Sequence, residues 1–220
     1  MVVDRSVAGT ETTTRLLAET GPLGERLIVM HFAGDAMLGR RYIEPTQDVT
    51  AVVTPGDGGA SARAVVAPIA DLFAAADVRS LNLETVVGNF TLADAYPKKR
   101  FLLQSPPETI DLLDELAASF VTLGNNHTRD WLDAGAQATV EALDEAGVPF
   151  VGGGTTIAEA SAPLLLDVAG YRLGLLSYTS VNGDFVNDNL PDAGAPIPDD
   201  LAEGEAGNSK SERSASPERA

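Results

Sequence analysis

"SFVTLGNNHTRDWLDAG", residues 119–135, decides how this chain folds. It opens on a short apolar run, passes through Gly124 into two asparagines and one of only two histidines, and ends where a helical pattern begins. A short buried strand that runs into polar residues and then at once into a helix is the repeating unit of a parallel α/β sheet. Ligands of such sheets bind beyond the carboxyl ends of the strands. Asn125, Asn126, His127 and Asp130 therefore stand where chemistry is expected.

Working outward, the same alternation recurs. "RLIVMHFAG" (26–34) and "RSLNLE" (79–84) read as strands, separated by the helical spacing of "ARAVVAPIADLFAAADV" (62–78). "PPETIDLLDELAAS" (106–119) opens with proline and acids and predicts a helix before the strand "FVTLG" (120–124). "WLDAGAQATVEALDEAG" (131–147) predicts a helix stopped by Gly147, followed by the strand "VPFVG" (148–152). "PLLLDVAGYRLGLLSYTS" (163–180) reads as a hairpin turning at Ala169-Gly170. Residues 85–105 are expected to form a long loop. The fold class is α/β, with a mostly parallel sheet joined by right-handed crossovers and a terminal antiparallel hairpin.

Three domain-level segments are expected: a loose arm over 1–25, a folded domain over 26–185, and a disordered acidic and polar tail over 186–220, where almost nothing large and apolar is left to bury. With 220 residues and 44% hydrophobic content the chain supports one substantial core. The net charge of −17 sets the overall field against phosphates and against non-specific nucleic-acid binding. No cysteine is present, which rules out disulfides, thiolate zinc sites and iron–sulfur clusters. The N-terminal residues lack the apolar core of a signal peptide, and no run approaches the ~18 apolar residues of a membrane helix, so a cytoplasmic location is the default expectation.

Each of the first three strands delivers polar groups to one sheet edge: Gly34-Asp35 after the first, Asn82 and Glu84 at the end of the second, Asn125, Asn126 and His127 after the third. Carboxylate and amide oxygens suit Mg²⁺, Mn²⁺ or Ca²⁺, an added imidazole favours Mn²⁺, Fe or Zn²⁺, and a carboxylate placed between two metal ions serves phosphoester hydrolysis. His127 is suited to protonate a leaving group, with Asp130 orienting its ring. Plainer readings stand beside these. Asp35 also suits a turn after Gly34, Glu84 a solvated loop acid, Asn125 and Asn126 positive-φ turn positions, and Asp130 the N-cap of the helix near Trp131. His31, within an apolar strand, reads as a packed face residue. In "VGGGTTIAEA" (151–160), Thr156 and Glu159 read as a capping box rather than a phosphate loop. The basic cluster Lys98, Lys99 and Arg100 is a weak candidate for holding a polyanionic or phosphoester substrate, against a solvated loop.

"HFAGDAMLGR", "LNLETVVG", "TLGNNHTRDWLDAGAQATVEALDEAGVPFVGGG" and "EASAPLLLDVAGYRLGLLSYTS", in this order, resemble the CapA family of bacterial capsule or poly-γ-glutamate synthesis proteins, within the calcineurin-like metallophosphatase superfamily. The resemblance covers about residues 27–180. It implies a layered α/β/β/α sandwich around a dimetal site, with Asp35 as the first metal ligand, Glu84 as the bridging acid, Asn126 as the amide ligand and His127 as the neighbouring catalytic imidazole, followed by the family's Asp130. It implies a metal-dependent hydrolase holding Mn²⁺ or Mg²⁺. Two departures qualify this. Met37 stands where the wider superfamily often has histidine, and the downstream histidines that complete the family's site have no counterpart among the chain's two. The expectation is therefore an incomplete sandwich, resembling the N-terminal part of the family fold, with a weak metal site and a surface that self-associates or takes a completing partner; a non-catalytic binding or assembly role is the alternative.

Overall fold

The structure, a computed structural model, describes residues 27–45, 50–97, 99 and 101–179. The arm expected over 1–25 and the tail expected over 186–220 lie outside the described residues. The central sheet has four parallel strands in the order β1–β2–β5–β6: β1 Met30–Ala36, β2 Val78–Leu83, β5 Phe120–Thr122 and β6 Phe150–Val151. Helix α1 (Ala60–Ala74) joins the first two of these, and α3 (Leu132–Ala146) joins the last two. The α/β class and the parallel sheet read from the sequence are both present.

Period-two alternation gives the sheet two faces. Leu81, Leu83, Val121 and Leu123 point to the helical side, where they pack with Phe73 of α1, Leu112 and Leu113 of α2 (Leu112–Glu115) and Val140 and Leu143 of α3. Val78, Phe120 and Val151 point the other way, against a hairpin of β7 (Leu164–Val168) and β8 (Tyr171–Leu175) whose Leu164, Leu166, Leu173 and Leu175 cover them. Helices on one face and a second small sheet on the other make three successive layers, consistent with a metallophosphatase-like sandwich.

Two expectations change. Residues 85–105 are not simply a loop: β3 (Val86–Val87) and β4 (Gln104–Ser105) pair in parallel, and Val86 and Val87 are fully buried beneath α3. A two-residue ladder is too short to leave a periodic signal. The predicted helix over 106–119 is mostly a 3₁₀ turn, Pro107–Asp111, before the single α-helical turn of α2. Short α4 (Ile157–Ala160) begins at Thr156, whose hydroxyl accepts from the Glu159 amide at 3.2 Å. Its return contact lands one residue early, because the Glu159 carboxylate accepts from the Thr155 amide and hydroxyl, not from Thr156.

The hairpin turns at Ala169 (φ 50°) and Gly170 (φ 86°), both left-handed, the pattern of a type I′ turn. Alanine strains there, since its Cβ crowds the backbone, whereas glycine does not. Ala169→Gly should raise the unfolding free energy by about 0.5–1 kcal/mol, the relief exceeding glycine's entropic cost. The urea midpoint measures it; an unchanged or lower midpoint would contradict the strain.

Candidate functional site

The site begins with an irregularity in β1. Phe32 pairs with Ser80, but Asp35 pairs with Asn82, so three steps on one strand match two on the other. This one-residue bulge spans Ala33-Gly34. Without it Asp35 would lie beside Leu83 and face the helical core; the extra residue turns its carboxylate to the side of Asn82. The Asp35 Oδ1 atom accepts from Asn82 Nδ2 at 2.8 Å. Gly34-Asp35 is thus a strand bulge and not a turn after the strand.

Asn82 connects three strand ends. Its Oδ1 accepts from Asn125 Nδ2 at 3.0 Å and from the Thr122 hydroxyl at 3.3 Å, which fixes its amide to donate toward Asp35. Asn125 Nδ2 also donates to the Leu83 carbonyl at 3.0 Å, and Asn125 Oδ1 accepts the His127 amide at 2.9 Å. Neither asparagine of the pair has positive φ. Asn125 is a buried tie between β2, β5 and the loop that carries His127.

His127 is buried, and its Nδ1 lies 2.7 Å from Asp130 Oδ2. Asp130 is wholly buried and does not cap α3; Trp131 holds the N-cap position with no side-chain capping bond. The Asp130 carboxylate instead receives the Lys99 ammonium, the Leu103 amide and the His127 ring. Lys99 also donates to the Asn126 carbonyl. Burial of the Lys99 and Asp130 side chains, 5% and 0% exposed, means that each charge depends on the other.

Asp35 and Glu84 come together. The Glu84 amide donates to the Ala36 carbonyl at 3.1 Å, extending the β1–β2 ladder and bringing Asp35 and Glu84 to one cleft. Burial holds the Glu84 carboxyl above its ordinary pKa; the hydrogen bond with Asp35 and its like charge push the same way, as does Asp130, while attraction to His127 opposes them. Both carboxyls line one wall of a cleft of about 520 Å³. Oxygen donors brought together in this way fit a hard divalent cation, whose charge would offset the repulsion between them. They do not make a full shell by themselves: among the described residues no group of three or more His, Asp and Glu side chains is disposed to hold a metal ion. Asn126, half-buried, follows Asn125 at the end of β5, and its side-chain oxygen would have to add to the pair.

The predicted residues thus fall into two adjoining groups, Asp35 with Glu84 and His127 with Asp130, with Asn126 at the second. Lys98 and Arg100 lie outside the described residues. Lys99, expected in a solvated loop, is instead buried against Asp130, a duty that its place in a basic run did not reveal. Asn82 was visible only as a strand-end amide; its role as the hub of the network depends on register, which the sequence did not show.

This geometry sits within a chain whose residues 29–217 match the bacterial capsule synthesis protein PGA_cap model. The chain belongs to the PGA_cap family. Among its relatives, the PGA biosynthesis protein CapA of Bacillus subtilis (strain 168) is 29% identical over 156 residues, 69% of this chain and 37% of that protein. The uncharacterized protein y4sH of Sinorhizobium fredii (strain NBRC 101917 / NGR234) is 34% identical over 112 residues, 50% of this chain and 24% of that protein. The matched part of the chain spans 24–37% of the length of these curated relatives. Among the described residues no helix is long and apolar enough to cross a membrane.

Two outcomes follow from the buried charges. Lys99→Met removes the cation from a buried carboxylate and should cost about 3–5 kcal/mol; chemical denaturation reads it, and a loss below 1 kcal/mol would mean that the pair is not buried in solution. A Glu84 carboxyl whose pKa is raised on folding contributes stability below its unfolded pKa and loses it as pH rises through the folded value. Metal-free protein should therefore lose stability as pH climbs above the ordinary glutamate range. Glu84→Gln should flatten that slope, and an identical slope in both proteins would refute the assignment.

Proposed function

We propose that this chain carries a divalent-metal site of the capsule and poly-γ-glutamate synthesis type, acting in metal-assisted hydrolysis or transfer at a phosphoester or related bond. The contact between the Asp35 and Glu84 carboxyls at adjacent strand ends carries the proposal. Asp35, Glu84 and the Asn126 amide oxygen would hold the ion, Mn²⁺ or Mg²⁺ by the hardness of the donors. A bound ion would polarise the scissile group and offset the charge that builds on it.

The protein's own residues supply the rest. Asp130 accepts from Nδ1 of His127, which fixes that tautomer and leaves Nε2 to exchange a proton with a leaving group. Lys99 pairs with the same buried carboxylate and so fixes the position from which Asp130 orients the ring. Asn82 aims Asp35 through a single donated bond, and the bulge at Ala33-Gly34 sets the face from which it acts.

A second function is favoured by one observation: the described residues offer only a pair of grouped acids, too few for a complete shell. The chain would then be a binding or assembly component that keeps the fold and a weak metal site. Mn²⁺ titration with a phosphodiester assay separates the two. The first expects Mn²⁺ uptake that Asp35→Asn and Glu84→Gln abolish, together with turnover that His127→Ala lowers at least a hundredfold while Mn²⁺ content holds. Uptake without turnover selects the binding role. Metal loss in His127→Ala that matches its loss of rate would make His127 a ligand, and no uptake at all would remove the metal site.

A further inference from the structure

The cleft that holds Asp35 and Glu84 has a cationic wall. Arg40, Tyr42 and Leu103 line it together with those acids and Glu44. Arg40 opens a 3₁₀ turn, Arg40–Tyr42, and its φ is 50°, a left-handed conformation that a long side chain rarely adopts. Such strain persists only where the surroundings impose it. Here they do. Gly39 lies so close to β4 that a Cβ on it would stand 1.6 Å from the Gln104 carbonyl oxygen. The Leu38 amide donates to the Ser105 hydroxyl at 3.1 Å, and that hydroxyl is 3.0 Å from the hydroxyl of Thr85, the neighbour of Glu84. The backbone before Arg40 is therefore clamped to the strand beside the carboxylate pair.

The guanidinium that this clamp presents is exposed, and it stands 6.0 Å from the centre of the Phe101 ring. Among the described residues no carboxylate is paired with it, although the chain carries an excess of acids and three of them line the same cleft. An arginine held at a strained φ, steadied on an aromatic face and paired with no carboxylate among the described residues, is set to receive an oxyanion through its planar fork.

We propose that Arg40 binds the anionic group of the substrate, a phosphate or carboxylate oxyanion, in the cleft whose floor is Asp35 and Glu84. This rests on the metal site proposed above, because three acids against one arginine leave the cleft net negative until a divalent cation enters. Anion binding is therefore metal-dependent, and Arg40 supplies the directional contact.

The test uses the full chain with Mn²⁺ and two probes, inorganic phosphate and N-acetylglutamate, titrated by calorimetry. Arg40→Gln should weaken at least one probe tenfold or more without weakening Mn²⁺ binding, and Arg40→Lys should fall between. Arg40→Gly relieves the left-handed strain, so it should melt no lower than wild type and yet lose the anion; a residue serving only to hold the turn would show the reverse. Loss confined to phosphate identifies a phosphoryl group, and loss confined to N-acetylglutamate a carboxylate. Wild-type affinity for both probes in Arg40→Gln and Arg40→Gly overturns the proposal while leaving the metal site standing. Absence of Mn²⁺ uptake by wild type refutes the metal site and, with it, the metal-dependent anion site.

Discussion

The buried carboxylate of Asp130 is the constraint on which the site depends. A charge with no access to water is tolerated only when donors surround it, and Asp130 draws those donors from distant parts of the chain. Lys99 and the Leu103 amide come from the connection that follows β3, and His127 from the loop after β5. The Asp130 carbonyl adds a fourth tie by accepting from the Tyr96 amide at 2.8 Å. Tyr96, Lys99 and Leu103 are thereby fastened across the strand-end loop, with Phe101 beside Arg40 and Leu103 in the cleft wall. One residue thus orients the imidazole and anchors Leu103, which lines the neighbouring cleft.

Much of the fold was legible because it follows from periodicity. Helix α3 stops at Gly147, whose φ of 67° is the left-handed C-cap that glycine favours, and the hairpin turns where Ala169-Gly170 said it would. The site residues were legible as strand-end polar groups, and Asp35 and Glu84 stand at adjacent strand ends and line one cleft. What stayed hidden depends on register and on pairs distant in sequence. The bulge in β1 inverts the facing of Asp35, yet Ala33-Gly34 reads equally well as the end of a strand. The β3–β4 ladder is two residues long and links positions 18 apart, too short for any pattern. Lys99 looked like one of three solvated cations because its partner stands 31 residues away.

Glycines give the strand ends their closeness. The Gly124 amide donates to the Ser177 hydroxyl at 3.0 Å, and a Cβ at Gly124 would stand 2.6 Å from the Tyr178 amide nitrogen. A Cβ at Gly152, in left-handed φ, would stand 2.7 Å from the Ser177 carbonyl oxygen. The segment leaving β8 therefore crosses the ends of β5 and β6 in backbone contact. This explains why glycines follow both strands and why "VGGG" needs no phosphate to account for it: close packing of main chain on main chain demands the missing side chains.

Placed together, these features make the cleft an electrostatic device with two settings. Strand pairing sets Asp35 and Glu84 side by side: the ladder bond from the Glu84 amide aligns the two strand ends, and the donated bond from Asn82 orients the Asp35 carboxylate. Burial first, and then the neighbouring Asp35, hold the Glu84 carboxyl above its ordinary range. A divalent cation would offset the charge of the acids and bring the cleft close to neutral, and Arg40 is the group whose usefulness changes with that neutralisation. Against bare carboxylates its charge is one among opposing neighbours; beside a metal-neutralised floor it becomes a directional anchor for an anion. A bulge, a two-residue ladder and a clamped glycine thus set where charge is concentrated, and the concentration of charge sets what the cleft can hold.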